Sequence, residues 1–443
     1  MHDFGFLSIV PTLTVLLLAV LTRRTVESLL AGCFMGLILL DFGNFMPALA
    51  EVSMNTMANG TVRWIILVCG LLGSLIAILA ASGAASAFGR LFSIVVNSKR
   101  KSMAATACLG IAIFIDDYLN TLAVSSSMRQ ITERYRVSKQ MLAYIVDSTA
   151  APISLIIPVS TWAVFFSSLI ESNGLAAPNE GLSVYISSIG YMFYPWFAML
   201  LVFLVIAGVF PVIGPMKKAE EAAEKDGVFS DQKELGNGKE TNILNFIIPM
   251  GALIFFTVWY NIDIFQGVIA ALLVTIPLLL LQRALSVNEL FDSAMNGFTS
   301  MIHPLATVFC GFMLNDINGQ LGMTEYVIEV VTPVMSAGMF PFVCFATLGL
   351  LSFATSSAWG LFVVSFPIVV PIATSLNVDT PLILGAMLSA SAFGSHACFY
   401  SDATVLAAKG SGCTPTEHAF TQFPFALVAA GASSVLFLIL GNI

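Results

Sequence analysis

Long apolar stretches separated by short polar segments make up most of the chain. They lie at about residues 7–22, 26–42, 64–89, 103–128, 141–170, 183–214, 244–260, 263–282, 301–330, 340–372, 381–408 and 420–442. Since about 20 apolar residues cross a bilayer as a helix, this pattern predicts an all-α polytopic membrane protein. The composition agrees. Charged residues make up only 10% of the chain and mean hydropathy is +0.91, whereas soluble proteins carry about 25% charged residues.

One long polar segment, 216–243, lies near the middle of the chain and predicts a charged cytoplasmic linker between halves 1–215 and 244–443. An offset of 241 residues superposes the segment at 68–70 on 309–311, and the segment at 147–151 on 388–392. The order of spans and interruptions also matches, which predicts a duplication. Each half is predicted to hold five crossings and one re-entrant hairpin, with broken helices at the midplane. An odd number of crossings inverts the second half, a common plan in secondary transporters.

The positions of Lys and Arg predict the topology, because cytoplasmic loops carry an excess of both. Residues 99–101 and 129–139 are basic on either side of the apolar stretch 103–128. That stretch is therefore predicted to be a re-entrant hairpin that returns to the cytoplasmic side, and 340–372 a second hairpin entering from outside. Both termini are then periplasmic, in the inner (plasma) membrane of a bacterium. The N-terminus lacks the basic region of a secretory signal.

The first hairpin contains two adjacent acids near its middle. Asp116, Asp117, Asn120 and Thr121 interrupt the apolar run at its predicted tip. Ionisable residues at bilayer depth are costly and usually mark an ion pathway. We predict that these side chains bind a cation and exchange it for protons; the alternative is that they cap the hairpin backbone.

The span 141–170 carries a polar triplet followed by prolines. Asp147, Ser148 and Thr149 precede Pro152 and Pro158. Prolines remove backbone hydrogen bonds and kink a helix, so carbonyl and hydroxyl groups become available to line an ion site. The alternative is a structural kink in which Asp147 caps a half-helix.

The second half offers a less acidic set of candidates. Hydroxyl groups lie at the second hairpin tip, a histidine and an acid in a later broken span, and an Asn-Asp pair interrupts 301–330. These candidates are Ser356, Ser357, Ser395, His396, Asp402, Asn315 and Asp316. A histidine titrates near neutral pH and could relay protons, although a satisfied core histidine is the equal alternative.

Several chemical classes lack their signatures. The chain has no phosphate-binding glycine loop, no H-E-x-x-H and no G-x-S-x-G, so neither ATP-driven transport nor these enzyme classes are predicted. The seven Cys residues form no C-x-x-C pair, and no basic stripe indicates a nucleic-acid partner. We expect no cofactor beyond the coupling ions Na⁺ and H⁺; membrane lipid and a small ion or solute are the expected partners.

Two segments resemble a known family. FIDDYLNT at 114–121 and AYIVDSTAAP at 143–152, together with GSH at 394–396 and YSD at 400–402, are similar to the NhaC family of Na⁺/H⁺ antiporters in the ion-transporter superfamily. The resemblance implies two inverted repeats with paired hairpins, a scaffold domain that often dimerises, and a transport domain that moves like an elevator. It also makes Asp116, Asp117 and Asp147 the first-choice sodium ligands.

The functional hypothesis is a Na⁺/H⁺ antiporter that exports Na⁺ in exchange for protons. The alternative is a Na⁺- or H⁺-coupled exchanger of an organic acid or amino acid, because hydroxyl groups at the second tip could bind a carboxylate. An intramembrane aspartyl hydrolase is disfavoured by the lack of a G-x-G-D element. A channel is disfavoured because broken hairpins with acids indicate an occluding site.

Overall fold

The computed structural model describes residues 4–22, 24–84, 87, 96–226, 241–260, 263–331, 333–355, 358–399 and 401–443. Its first-half α-helices are α1 (Val10–Thr22), α2 (Thr25–Asp41), α3 (Phe45–Ala58), α4 (Gly60–Ala81), α5 (Lys99–Ala112), α6 (Asp117–Arg134), α7 (Lys139–Ser148), α8 (Ala151–Ile156), α9 (Thr161–Ser172), α10 (Gly181–Ser188), α11 (Phe193–Ala207) and α12 (Gly214–Asp226). Short 3₁₀ turns lie at Gly5–Ile9, Phe42–Asn44 and Ile189–Tyr191.

The second half continues in the same style. Its helices are α13 (Leu244–Trp259), α14 (Ile264–Leu281), α15 (Val287–Ser300), α16 (Ile302–Gln320), α17 (Met323–Val331), α18 (Phe340–Thr355), α19 (Ala358–Ser375), α20 (Thr380–Ala397), α21 (Asp402–Ser411) and α22 (Pro415–Gly441). All regular structure in the described residues is helical, as the apolar pattern predicted.

Five helical segments of the described chain are long and apolar enough to cross a membrane. They are Val26–Ala58, Val62–Ala81, Ile264–Leu281, Val287–Gln320 and Pro415–Gly441. Two bent pairs raise this number to seven if each is one span: α7–α8 with α9, bent by 41°, and α10 with α11, bent by 50°. The protein is a multi-pass membrane protein.

The predicted first hairpin is formed by α5 and α6, which pack against each other. The helices extend beyond the predicted 103–128 at both ends, and the break between them covers only residues 113–116. The chain leaves α5 at Ile113, and Asp116 takes an extended conformation as the N-cap of α6. Asp117, Asn120 and Thr121 therefore lie on the first turns of α6 and not in a non-helical tip.

Helix boundaries repeat at the interval that the sequence suggested. The hairpin helices begin at Lys99 and Asp117, and α18 and α19 begin at Phe340 and Ala358, each 241 residues later. The following helices begin at Lys139 and Thr380, again 241 residues apart. Corresponding breaks in the two halves thus occur at corresponding positions, which supports duplication.

The serines that end the two broken spans have the same role. Ser160 caps α9 and its hydroxyl donates to the Ser154 carbonyl at 2.5 Å. Ser401 caps α21 and donates to the Ser395 carbonyl at 2.6 Å. Both serines and both acceptors are 241 residues apart. In each break, one hydroxyl satisfies the carbonyl freed by the end of one helix and an amide at the start of the next.

Two predictions for the second half need correction. Asn315 and Asp316 do not interrupt a span, because α16 continues through them to Gln320; Asn and Asp are tolerated in a helix where they reach water or a partner. The polar segment before 301 is also helical. Ser286 and Glu289 form a capping box that starts α15.

The first part of the predicted linker is a helix that binds the hairpin. On α12, Met216 is fully buried, and Glu220 pairs with Lys99 at 2.7 Å while accepting from the Ser138 amide at 2.8 Å. Glu224 also pairs with Lys99, at 2.8 Å. The hydrogen bond from Lys99 lowers the pKa of Glu224, so this contact is present at neutral pH and is lost as the pH falls through that lowered pKa.

Aromatic packing joins the two halves beside the breaks. The ring of Phe166 on α9 lies 5.6 Å from that of Phe362 and 6.1 Å from that of Phe366, both on α19. All three side chains are fully buried. The polar breaks are therefore held inside the protein, where non-helical backbone is tolerated at membrane depth.

Candidate ion-binding site

The hairpin acid Asp116 has well-defined hydrogen-bond partners. Its Oδ1 accepts from the amides of Tyr118 and Leu119 at 3.0 and 3.1 Å, and its Oδ2 accepts from the Thr161 hydroxyl at 3.1 Å. The first two contacts are the capping alternative raised from the sequence. The third connects the hairpin to the first residue of α9, so the carboxylate lies where two helix N-termini meet.

The neighbouring polar residues are buried on α6. Asp117 is 6% exposed and accepts a hydrogen bond from the Trp162 side chain. Asn120 donates to the carbonyls of Gly110 and Thr149, at 2.6 and 3.1 Å. The Oδ1 of Asn120 has no hydrogen-bond partner in the described part of the chain. It is therefore a buried oxygen with a free lone pair.

The hairpin break is attached to the break in the proline-containing span. The Ser154 hydroxyl donates to the Phe114 carbonyl at 3.1 Å, and the Thr161 amide donates to the Ile115 carbonyl at 3.2 Å. Pro152 lies in the first turn of α8 and Pro158 in the break at 157–160, as expected for residues that cannot continue a helix. The two breaks are thus a single polar region.

A second polar cluster surrounds Asp147. Its Oδ2 lies 3.0 Å from His418 Nε2 and 2.8 Å from Gln422 Nε2, and all three side chains are almost completely buried. His418 and Gln422 are four residues apart on α22, so they share one face of that helix. The sequence analysis did not include either residue. A polar pair at this spacing within the apolar run 415–441 is the signal that could have identified them.

His396 lies beside this cluster in a set of its own contacts. Its Nε2 is 2.8 Å from the Ser148 hydroxyl, and its Nδ1 is 2.6 Å from the Tyr194 hydroxyl. Its backbone carbonyl accepts from Gln422. The histidine is thus a satisfied core residue in its hydrogen bonding, and it also contacts the residue next to Asp147.

The predicted sodium ligands therefore fall into two groups. Asp116 and Asp117 lie at the hairpin, whereas Asp147 faces α22, and no hydrogen bond among the described residues joins Asp147 to either hairpin acid. The groups are connected indirectly, because Asn120 binds the carbonyl of Thr149, two residues after Asp147. The Thr149 hydroxyl bonds its own helix at Ile145.

The remaining predicted residues have varied positions. Ser395 is buried, and its carbonyl accepts from Ser401. Asp402 is the first residue of α21. Asp316 is exposed and accepts from Gln320 on its own helix, and Asn315 is partly buried. The hairpin-tip serines Ser356 and Ser357 lie outside the described residues. Thr121 is buried beside Asn120.

The ligand chemistry of the hairpin suits a hard monovalent cation. Carboxylate, amide, hydroxyl and carbonyl oxygens converge there in a buried region, and such oxygens are the preferred ligands of hard ions. The described residues contain no group of three or more His, Cys, Asp or Glu placed to hold a metal ion. Any cation would therefore depend on neutral oxygens as well as on Asp116 and Asp117.

Two solved structures share this fold. The YdaH transporter of Alcanivorax borkumensis, described as having an unusual topology, superposes with a TM-score of 0.64 at 10% identity, covering 89% of this chain and 88% of that chain. MtrF of Neisseria gonorrhoeae, described as illuminating a class of antimetabolite efflux pumps, gives a TM-score of 0.51 at 12% identity, covering 91% and 85%.

Sequence comparison gives two further matches. An uncharacterized protein of Haemophilus influenzae is 29% identical over 474 residues, which cover 98% of this chain and 90% of that protein. The model of the Na⁺/H⁺ antiporter family matches residues 170–442, more than half of the chain. The chain therefore belongs to the Na⁺/H⁺ antiporter family and is a transporter, as the sequence predicted.

Proposed function

We propose that this protein exports Na⁺ in exchange for protons. The observation that carries the proposal is the buried acid pair Asp116 and Asp117 at the break of the hairpin, beside an Asn120 oxygen that has no partner among the described residues. Membership of the Na⁺/H⁺ antiporter family supports the class of transport. A buried carboxylate is costly when charged, so either a cation or a proton stabilises it, and the two compete.

Competition at one site explains obligatory exchange. When Na⁺ is bound between the carboxylates and the Asn120 amide oxygen, protonation of Asp117 is disfavoured by the cation charge. When Asp117 is protonated, the site loses a ligand charge and releases Na⁺. A higher proton concentration outside then favours release of Na⁺ on that side, and the proton gradient drives export.

The remaining features of the prediction belong to this proposal. We propose two inverted repeats, each with five crossings and one hairpin, and elevator-like movement of the hairpins and broken spans against a dimeric scaffold. We also propose an inner-membrane location with both termini periplasmic, and no cofactor beyond Na⁺ and H⁺. The 241-residue interval between helix starts supports the duplication on which this arrangement depends.

A second candidate is ion-coupled exchange of an organic acid or amino acid. The fold shared with MtrF favours it, because that protein is described within a class that exports organic molecules, the antimetabolites. In this case Na⁺ or H⁺ at the hairpin would be the coupling ion, and the organic solute would bind elsewhere in the same polar region.

The test is sodium-dependent proton release from everted membrane vesicles that contain the protein. Respiration acidifies the interior, and we expect added Na⁺ to dequench an acridine dye. Asp117→Asn should abolish this signal, whereas Asp292→Asn, on the exposed surface of α15, should retain it. No sodium response in the wild type, together with uptake of a radiolabelled amino acid or dicarboxylate, would favour the second candidate.

A further inference from the structure

The carboxylate of Asp147 is buried without a Lys or Arg partner among its described contacts. The side chain is 0% exposed, its Oδ2 contacts only His418 and Gln422, and its Oδ1 has no hydrogen-bond partner in the described residues. A lone charge in such an interior is strongly disfavoured. A bound proton or cation is therefore needed to neutralise it.

The orientation of Gln422 is determined by its partners. Its Nε2 contacts both the Asp147 carboxylate and the His396 carbonyl. Both partners are acceptors, so the NH₂ group must face them and the amide oxygen must point away. Gln422 is therefore a fixed donor to Asp147 and cannot offer its oxygen to a cation bound at Asp147 Oδ2.

The donors at Asp147 favour a proton over a metal ion. The hydrogens of Gln422, and of His418 Nε2 when it is protonated, point at the same carboxylate oxygen and oppose the approach of another positive ion. The described residues also place no third acidic, His or Cys ligand there. His418 and Asp147, by contrast, can share a proton across their 3.0 Å contact without moving any heavy atom.

We propose that Asp147 and His418, positioned by Gln422, form a proton-binding site separate from the cation site at the hairpin. Without the proton, neutral His418 faces an ionised Asp147 and the pair has a charge of −1. With it, the pair is either an imidazolium with a carboxylate or a neutral imidazole with a carboxylic acid, and its charge is zero. This deepens the proposed function, on which it rests, by naming the group that carries the exchanged proton.

The surrounding titratable groups leave this role to the pair. Those nearest to it are neutral side chains: His396 on α20, Tyr194 on α11 and Tyr144 on α7. The charged groups on the other packed helices have their own partners or reach the surface: Lys99 with Glu220 and Glu224, Arg129 with Glu133, Glu417 with the Thr414 amide, and Lys409 at the surface.

Coupling between the two sites follows from the backbone that joins them. Asp147 is the penultimate residue of α7, and Asn120 of the hairpin binds the carbonyl of Thr149 just after that helix. A change in charge at Asp147 therefore acts on the segment that holds a predicted sodium ligand. Exchange then requires both sites, whereas sodium–sodium exchange requires only the hairpin.

The experiment compares two modes of transport in proteoliposomes of the purified protein. Na⁺/H⁺ exchange is measured with an internal pH dye, and sodium–sodium counterflow with ²²Na⁺ at equal pH on both sides. For Asp147→Asn and His418→Gln we expect Na⁺/H⁺ exchange to fall at least about tenfold. Counterflow should stay within about twofold of the wild type, because independent sites act additively.

Controls separate this inference from the proposed function. Thr421→Val, on the same helix but bonded to its own backbone, should match the wild type, and Asp117→Asn should lose both modes. His418→Gln, which keeps a donor but does not titrate, decides the matter if Asp147→Asn does not fold. A wild-type pH profile in His418→Gln, or loss of counterflow in the folded variants, overturns the separate proton site. Absence of any sodium transport in the wild type overturns the proposed function and this inference with it.

Discussion

The close contact between the hairpin and α7 can be tested by adding one methyl group at Gly110. A Cβ there would lie 2.1 Å from Thr149 Oγ1 and 2.8 Å from Thr149 Cβ, far inside ordinary contact at 3.4 Å or more. Rotation of the Thr149 side chain cannot relieve both contacts, because Cβ does not move when χ1 rotates. The helices must therefore separate by roughly 1 Å in a well-packed region.

The separation has an energetic and a functional consequence. Overpacking of this kind costs about 1–3 kcal/mol. Asn120 donates to both the Gly110 and Thr149 carbonyls, at 2.6 and 3.1 Å, so moving these carbonyls apart breaks one of the two bonds. We therefore expect Gly110→Ala to lower the thermal stability of the purified protein and also to weaken sodium-dependent proton exchange.

Two comparisons make this prediction specific. Gly251→Ala is the matched control, because a Cβ at Gly251 on α13 meets nothing within 4 Å, and a helical Gly-to-Ala change there should be neutral or stabilising by about 0.5–1 kcal/mol. Thr149→Gly removes the obstructing atoms and should offset part of the loss in the double variant. Equal melting temperatures for the Gly110 and Gly251 variants in detergent would refute the reasoning.

Two other perturbations test the packing and the cytoplasmic contact. Gly297→Ala should destabilise by about 1–3 kcal/mol, because its Cβ would lie 2.2 Å from the Gly73 carbonyl where α15 crosses α4; thermal melting beside Gly251→Ala checks this, and an unchanged melting temperature contradicts it. Glu220→Gln keeps the acceptor for its neighbouring amide but removes the charge pair with Lys99, so we expect a loss of about 1 kcal/mol that shrinks in high salt. A loss independent of salt would contradict the electrostatic explanation.

Local signals determined the class of the protein and the positions of its breaks. Apolar length identifies helices in lipid, and a run of acids or prolines interrupts them wherever the chain folds, because an N-cap such as Asp116 or a proline such as Pro152 acts on the nearest few residues. The 241-residue interval was also visible in the sequence, since duplicated segments keep their helix boundaries. The resemblance at 114–121 and 143–152 added the family, which the comparison with 170–442 confirms.

Only the tertiary structure decided which polar groups meet. Asp147 was expected beside the hairpin acids, yet its partners His418 and Gln422 lie 271 and 275 residues further along the chain. In a membrane protein the lipid-facing and buried sides of a helix are both apolar, so hydropathy does not reveal which face packs against which helix. Side-chain packing between distant segments sets that choice, and it is not present in any local pattern.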